Sequence, residues 1–176
     1  MNAERKRTKT APAAAVTALI ASLAVYEGER AWPYYDQAGV LTVCKGITGP
    51  DVVKGKWYSR EACRALEERF IARMNDTIGR CIAPAGLTPG EWKAWGHFTY
   101  NVGTTAFCNS TAARYLREGK YHQACLQMGK WTYLTKPGIG KVNCRLPQHK
   151  CGGIPKRRDA EMAMCLDAQT EGSFFG

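Results

Sequence analysis

Apolar residues recur at helical spacing over much of the chain, between clear start and stop signals. The longest run begins after Ser59 and ends before Pro84. Its apolar positions, at steps of three and four, are Cys63, Leu66, Phe70, Met74 and Ile78. This spacing predicts one long amphipathic helix over residues 59–80.

Cap signals mark the helices that follow. The run Thr88-Pro89-Gly90-Glu91 has a Thr cap, a Pro at the first helical position and a Glu three residues after the cap, which predicts a helix start. Trp92, Trp95 and Phe98 then lie on one side, which is more typical of core packing than of stacking on sugars. The further predicted helices run from Ser110 to Gly119, from Tyr121 to Trp131 and from Lys156 to Ala168.

Two segments lack a helical period. Residues 32–58 are rich in Tyr, Val, Thr and Gly, and a turn at 36–39 precedes the β-prone run 40–44, so a hairpin or a three-stranded sheet is predicted. Residues 132–155 are rich in Pro and Gly and are predicted to form a long irregular loop. A small sheet followed by many helices indicates an α+β fold.

The N-terminal segment is predicted to lie outside the globular core. A basic start is followed by residues 11–25, which carry no charge and are too few for an ordinary spanning helix of about 20 residues. Three interpretations remain open: an export signal cleaved after Ala24, a weak anchor that later leaves the bilayer, and an amphipathic helix of a soluble protein. One apolar helical face favours the releasable anchor; it is formed by Val16, Leu19, Ile20 and Leu23.

Composition and charge narrow the class of protein. The chain has 176 residues, of which 45% are apolar and 23% charged, so a disordered chain or a polytopic membrane protein is excluded. The formal charge of +10 favours an anionic partner. Because the basic residues are scattered and no nucleic-acid-binding motif is present, a polyanionic cell wall is a simpler partner than nucleic acid.

Two carboxylates and a hydroxyl follow the apolar segment closely. Glu27, Asp36 and Thr42 lie within 16 residues. Glycoside hydrolysis needs one carboxylic acid to protonate the leaving oxygen and one carboxylate to activate water or attack carbon. A neighbouring hydroxyl can fix that water. Two carboxylates nine residues apart are otherwise ordinary surface residues, so the pattern needs support from its surroundings.

That support is a resemblance to the phage-type lysozymes, glycoside hydrolase family 24. The segment YEGERAWPYYDQAGVLTVCKGITG matches the family signature of Glu, eight residues, Asp, five residues and Thr. Residues 100–103 (YNVG) and 153–158 (GIPKRR) resemble two further family motifs. The resemblance implies a small β-sheet lobe joined by a long helix to a mainly helical lobe, with the apolar helix before it. The implied division is 1–26 for the basic head and anchor, 27–170 for the catalytic domain and 171–176 for a tail.

The resemblance also implies an activity and its residues. The enzyme would hydrolyse peptidoglycan between N-acetylmuramic acid and N-acetylglucosamine, with Glu27 as general acid and with Asp36 and Thr42 holding the attacking water. Family precedent favours inversion, with the carboxyl groups about 6.5–9.5 Å apart. The residues that match family positions in or beside the cleft are Tyr34, Asn101 and Arg157. The resemblance implies a monomer that uses no cofactor and no metal.

Two departures from the family pattern stand out. Ile47 occupies a position where members often have His, and Cys44 one where soluble members often have Gly. Cys44 and the Ala-rich start resemble the signal-anchor-release endolysins, which are made tethered to the inner membrane and are then freed into the periplasm. This resemblance implies that the inner membrane is a partner before release, and that Glu27 cannot reach a cleft while the anchor is in the bilayer.

Eight cysteines fit an oxidising compartment, but their 105 full pairings cannot be told apart from spacing. The pairs we favour are Cys44–Cys63, Cys125–Cys165, Cys144–Cys151 and, by elimination, Cys81–Cys108. The alternative for the long loop is a partial zinc site with Cys144, His149 and Cys151 as ligands.

Two alternative functions remain open. A lytic transglycosylase can act with one acid, and the presence of Asp36 with Thr42 argues against it. A non-catalytic wall-binding protein would keep only the fold; Glu27 argues against this function, and Ile47 leaves it open.

Overall fold

The small lobe is a three-stranded antiparallel sheet. The computed structural model describes residues 7–23, 30–36 and 39–170. Its first strands are β1 (Arg30–Tyr35), β2 (Leu41–Cys44) and β3 (Ile47–Thr48), in the order β1-β2-β3. Val43 and Ile47 point from this sheet into a small hydrophobic core that Leu66 of the following helix completes. Of the two sheet forms that the sequence left open, the three-stranded one is confirmed.

One long helix, α2 (Arg60–Ile82), contributes to both hydrophobic cores. It begins where expected, because the Ser59 hydroxyl accepts a hydrogen bond from the Ala62 amide at 3.1 Å. Its first turns bury Leu66 against the sheet, while Ile78, three turns further on, lies in the larger core. The helix therefore joins the two lobes.

The larger lobe is helical. Its helices after α2 are α3 (Pro89–Val102), α4 (Thr104–Cys108), α5 (Thr111–Arg117), α6 (Tyr121–Met128) and α7 (Gly153–Thr170). The predicted capping box at Thr88 and Glu91 is present at the start of α3. Trp92, Trp95 and Phe98 are buried in the core, which confirms packing rather than sugar stacking as their role.

The N-terminal helix α1 (Ala13–Leu23) packs in this same core. Leu19 and Leu23 are buried, and α1 lies against α3, where Gly96 leaves room for the Leu19 side chain. This placement differs from the expectation of a segment outside the globular core, because the apolar face of α1 finds a complementary surface on α3. Within the described residues, no helix has the length and hydropathy needed to cross a bilayer.

The long loop predicted over residues 132–155 is only partly irregular, so that prediction was wrong in part. It contains a hairpin of β4 (Tyr133–Lys136) and β5 (Gly140–Asn143), followed by a short 3-10 helix at Pro147–His149. The turn uses Gly138 at φ 74° and Gly140 at φ 89°, which are left-handed conformations that glycine adopts without strain.

Four disulfides tie these elements together, and they are the pairs favoured from the sequence: Cys44–Cys63, Cys81–Cys108, Cys125–Cys165 and Cys144–Cys151. The first fixes the sheet to α2, and the third fixes α6 to α7. The fourth closes the loop after β5, and its bond occupies both sulfur atoms that the zinc alternative requires.

Candidate active site

Asp36 and Thr42 both form hydrogen bonds with the backbone of Val40. Asp36 follows β1, and its Oδ1 accepts a hydrogen bond from the Val40 amide at 2.9 Å. The Val40 carbonyl accepts two hydrogen bonds, from the Asp36 amide at 3.0 Å and from the Thr42 hydroxyl at 2.9 Å. The turn therefore places a carboxylate and a hydroxyl on the same short stretch of backbone.

The sheet fixes Thr42 further. Thr42 lies in the middle strand, opposite Tyr34 of β1 and Thr48 of β3, and only 2% of its surface is exposed. Tyr34 packs under the guanidinium of Arg30, which lies 4.4 Å from its ring centroid. The Thr42 hydroxyl donates its hydrogen bond to the Val40 carbonyl. Its oxygen lone pairs can therefore accept a hydrogen bond from water.

Asn101 and Arg157 form a second group in the helical lobe. Arg157 of α7 donates from Nη1 to the Asn101 Oδ1 at the end of α3, and the Asn101 Nδ2 donates to the His97 carbonyl at 3.2 Å. Both side chains line a pocket of about 890 Å³, together with Trp131 and Tyr133.

The predicted site residues thus fall into two groups, one in each lobe. Asp36, Thr42 and Tyr34 belong to the sheet, and Asn101 and Arg157 to the helices. Glu27, which the family spacing puts at the centre of the site, lies outside the described residues. Its distance to Asp36 therefore stays a prediction.

The two departures from the family pattern have structural settings. Ile47 is buried in the small core and pairs with Val43 across the sheet, which is a packing role. Cys44 has a φ of 56°, a conformation that costs a residue with a Cβ about 1–2 kcal/mol. Glycine avoids this cost, which accounts for its frequency at this position. In this chain Cys44 is bonded to Cys63, so a glycine at position 44 would remove that disulfide.

The structure also contains a buried ion pair at the pocket that the sequence analysis missed. Arg158 lines the pocket and donates from Nη2 to the Glu161 Oε1 at 2.9 Å, with both side chains buried. Burial raises the pKa of Glu161 to about 7, while Arg158 and Arg157 act against this rise. The i, i+3 spacing of the pair on α7 was the available sequence signal.

A hydrogen bond joins α3 to the small lobe. The Tyr100 hydroxyl donates to the Lys45 carbonyl at 2.6 Å, and its ring packs edge-on against Phe70 of α2 with centroids 5.6 Å apart. Tyr100 belongs to the second family motif, but nothing in the sequence predicts its bond to the β2–β3 turn.

Comparison with known proteins identifies the family. Residues 24–161 match the family model described as phage lysozyme. The chain belongs to the phage lysozyme family. This membership confirms the expectation of a glycosidase of the lysozyme class.

Relatives described as SAR-endolysins are similar to this chain over most of its length. A SAR-endolysin of Escherichia phage Mu is 37% identical over 132 residues, which is 75% of this chain and 69% of the relative. A SAR-endolysin of Bacteriophage PS119 is 37% identical over 143 residues, which is 80% of this chain and 76% of the relative. These likenesses and the family membership support a lytic function of the lysozyme type for this chain.

The fold is shared with solved structures. An endolysin from Escherichia coli O157:H7 phage FAHEc1 has a TM-score of 0.66 and 25% identity, and the match covers 85% of this chain and 91% of that one. The muramidase domain of SpmX from Asticaccaulis excentricus has a TM-score of 0.68 at 22% identity, with 92% of this chain and 99% of that one covered. The lysozyme-like two-lobed fold expected from the sequence is confirmed.

Proposed function

We propose that this member of the phage lysozyme family hydrolyses the β-1,4 bond between N-acetylmuramic acid and N-acetylglucosamine in peptidoglycan, with inversion at the anomeric carbon. The observation that carries the proposal is the shared attachment of Asp36 and Thr42 to Val40. It ties the carboxylate and the hydroxyl to the backbone of a single residue, at the family spacing from Glu27.

Each residue has one role in the proposed reaction. Glu27 gives its proton to the bridging oxygen as the bond from that oxygen to the anomeric carbon breaks. Asp36 takes a proton from the attacking water, whose oxygen forms the new bond on the opposite face of the sugar. Thr42 accepts a hydrogen bond from the same water and fixes its direction.

Substitution of the two acids tests these roles. Glu27→Gln keeps the shape of the side chain and removes the proton donor, so activity on purified sacculi should fall about 100-fold or more. Asp36→Asn keeps an oxygen that can accept from the Val40 amide, so the turn should survive while activity falls. Glu29→Gln is the matched control for Glu27 and should retain activity. Normal circular dichroism in all three variants would separate a chemical loss from misfolding.

Product analysis separates the proposed reaction from its alternatives. Hydrolysis gives muramic acid with a free reducing end, a lytic transglycosylase gives a 1,6-anhydro end, and a wall-binding protein gives no product. Proton NMR of the first-formed anomer tests inversion. A first-formed product with the substrate's β configuration would contradict the role given to Asp36.

We further propose that residues 1–26 act as a releasable anchor for the catalytic domain 27–170, with 171–176 as a tail. The support is the uncharged run 11–25 behind a basic start, together with the description of several relatives as SAR-endolysins. In this proposal the protein is first tethered to the inner membrane and is then free in the periplasm, with α1 packed against α3.

Fractionation of expressing cells tests the anchor. Before treatment, the full-length chain should be found with the inner membrane, and a protonophore should move it to the periplasmic fraction without a change in mass. A mass corresponding to cleavage after Ala24 would instead establish a removed export signal. A protein that stays with the membrane after depolarisation would contradict release.

A further inference from the structure

The segment before α1 is folded onto the helical lobe. Thr8 and Leu87 exchange two backbone hydrogen bonds, from the Thr8 amide to the Leu87 carbonyl at 2.8 Å and from the Leu87 amide to the Thr8 carbonyl at 2.9 Å. The indole Nε1 of Trp92 also donates to Thr8, at 3.2 Å to the hydroxyl and 3.3 Å to the carbonyl. This segment, residues 7–10, contains two of the basic residues of the chain start, Arg7 and Lys9.

A buried carboxylate receives the first of these basic residues. Glu91 has 0% of its surface exposed. The Arg7 guanidinium donates to it twice, from Nη2 to Oε1 at 3.0 Å and from Nε to Oε2 at 3.2 Å. The Thr88 amide and the Gln169 side chain also donate to Glu91, at 2.8 and 3.2 Å. A buried carboxylate needs a charge partner as well as hydrogen bonds, and Arg7 is its ion-pair partner.

The surface around Glu91 is shaped for this backbone. The Gly79 Cα faces the Lys9 carbonyl so closely that a Cβ there would lie 2.6 Å from that oxygen, and a Cβ at Gly86 would lie 3.0 Å from the Thr8 carbonyl. The Arg7 guanidinium also packs on the Tyr121 ring, 3.8 Å from its centroid. Shape, hydrogen bonding and charge therefore all fit one occupant, the segment 7–10.

The Arg7–Glu91 contact cannot form while the protein is tethered to the membrane. The basic segment precedes the uncharged run 11–25 in the chain, and Glu91 follows it. When that run crosses a bilayer, the two side chains are on opposite sides of the membrane. The Arg7–Glu91 pair therefore forms only after the basic segment has crossed, and charged groups cross reluctantly because the bilayer interior does not solvate them.

From these contacts we infer that the surface around Glu91 is the docking site for the basic segment 7–10, and that the Arg7–Glu91 ion pair holds the N-terminal segment in the released enzyme. The inference rests on the proposed anchor. It gives the basic start a second role: the charges that first hold the segment on the cytoplasmic side then fix it to the folded protein and oppose its return to the membrane.

The test compares two substitutions that change the charge of the start equally. Arg7→Gln removes the ion pair, whereas Lys9→Gln removes a charge two residues away and leaves the pair in place. In the purified full-length enzyme, Arg7→Gln should speed hydrogen exchange at the Thr8 and Leu87 amides about tenfold, as expected for the loss of a charged hydrogen bond. Lys9→Gln should leave it unchanged, and Arg7→Lys should restore part of the protection.

A second arm measures release. After protonophore treatment of cells that express the full-length chain, the ratio of released to membrane-bound protein should fall about tenfold for Arg7→Gln and not for Lys9→Gln. Glu91→Gln keeps the capping hydrogen bond from Thr88 and should reproduce the Arg7→Gln effect, with no further loss in the double variant.

The outcomes distinguish the inference from the proposals on which it rests. Equal exchange and equal release in the Arg7 and Lys9 variants would overturn the docking role while leaving the anchor and the muramidase intact. A wild-type protein that is not released on depolarisation would overturn the anchor and, with it, the role of the pair in release. Inactivity of wild-type enzyme on sacculi would contradict only the muramidase proposal.

Discussion

The Tyr100 hydroxyl donates a hydrogen bond to the Lys45 carbonyl across the boundary between the helical lobe and the sheet, at 2.6 Å. Lys45 begins the turn that follows β2, the strand that bears Thr42. The bond therefore connects the end of α3, next to Asn101, to the strand that presents the proposed water-binding residue. This contact is therefore one restraint on the relative position of the two halves of the site, in addition to α2.

We expect Tyr100→Phe to loosen the two lobes. The substitution keeps the ring packing on Phe70 and removes one hydrogen bond, with a loss of about 0.5–1.5 kcal/mol in the free energy of unfolding. Distances between spin labels on the two lobes should become more widely distributed. Tyr58→Phe is the control within the small lobe, where the Tyr58 hydroxyl donates to the Asp51 carbonyl at 3.1 Å and accepts from the Val53 amide at 2.9 Å. It should lose at least as much stability without widening that distribution, and equal widening in both variants would contradict the prediction.

Because α1 packs on α3, substitutions at Leu19 and Gly96 should partly compensate each other in their effect on stability. A Cβ at Gly96 would overlap the Leu19 side chain, so Gly96→Ala should destabilise the wild-type protein by about 1–3 kcal/mol. Leu19→Ala alone should cost about 2–5 kcal/mol through the cavity it leaves. In the double variant the new methyl enters that cavity, so the combined loss should be smaller than the sum. Additive losses in denaturant unfolding would show that the two side chains do not share this space.

A pH dependence is expected from His97. Burial lowers the pKa of His97 from its ordinary 6.5 to about 4, and Lys93 and Arg157 add to this effect. Its ring also lies 2.7 Å from the Ser22 hydroxyl of α1. Between pH 6.5 and 4 the unfolded chain binds a proton that the folded chain does not, so the free energy of unfolding falls as the pH drops through this range.

The measurement is the unfolding free energy against pH for wild type and His97→Gln. Loss of the titrating group at position 97 should remove part of the acid-side slope. Glu161 has a raised pKa and gives a slope of the opposite sign between pH 4.5 and 7, so the variant is compared with wild type at the same pH. Identical slopes in wild type and His97→Gln would disprove the prediction.

The disulfides should differ in their contribution to stability according to the length of chain they close. Cys125 and Cys165 are 40 residues apart, and Cys144 and Cys151 are 7 apart. Loop entropy gives a loss of about 4 kcal/mol on removal of the first and about 2 kcal/mol for the second. Paired Cys→Ala variants measured by denaturant unfolding would test the order. A larger loss of stability for the 144–151 pair would show that loop entropy does not determine the order of the two contributions.

Local sequence signals were sufficient for much of the fold. The start of α2 at Arg60 and of α3 at Pro89 follow from a serine cap and a capping box, which are satisfied by neighbours in the chain. Local signals also predicted a small sheet in residues 32–58 but left its strand number at two or three, and the structure shows three. The family spacing of Asp36 and Thr42 likewise reflects a local turn, so both residues meet at Val40.

Other features depend on contacts between residues far apart in the chain, and periodicity does not report these. The sequence showed that α1 has an apolar face, but not that Gly96 would accommodate it or that Arg7 would reach Glu91, 84 residues away. The hairpin within residues 132–155 was missed because its Pro and Gly residues indicate a loop as readily as a turn. The sequence by itself therefore determined most of the helices and the presence of the small sheet, and it supplied the candidate site residues. Only the tertiary structure decided where the N-terminal segment lies, because the free energy of that docking comes from surfaces that exist only after the helices have packed.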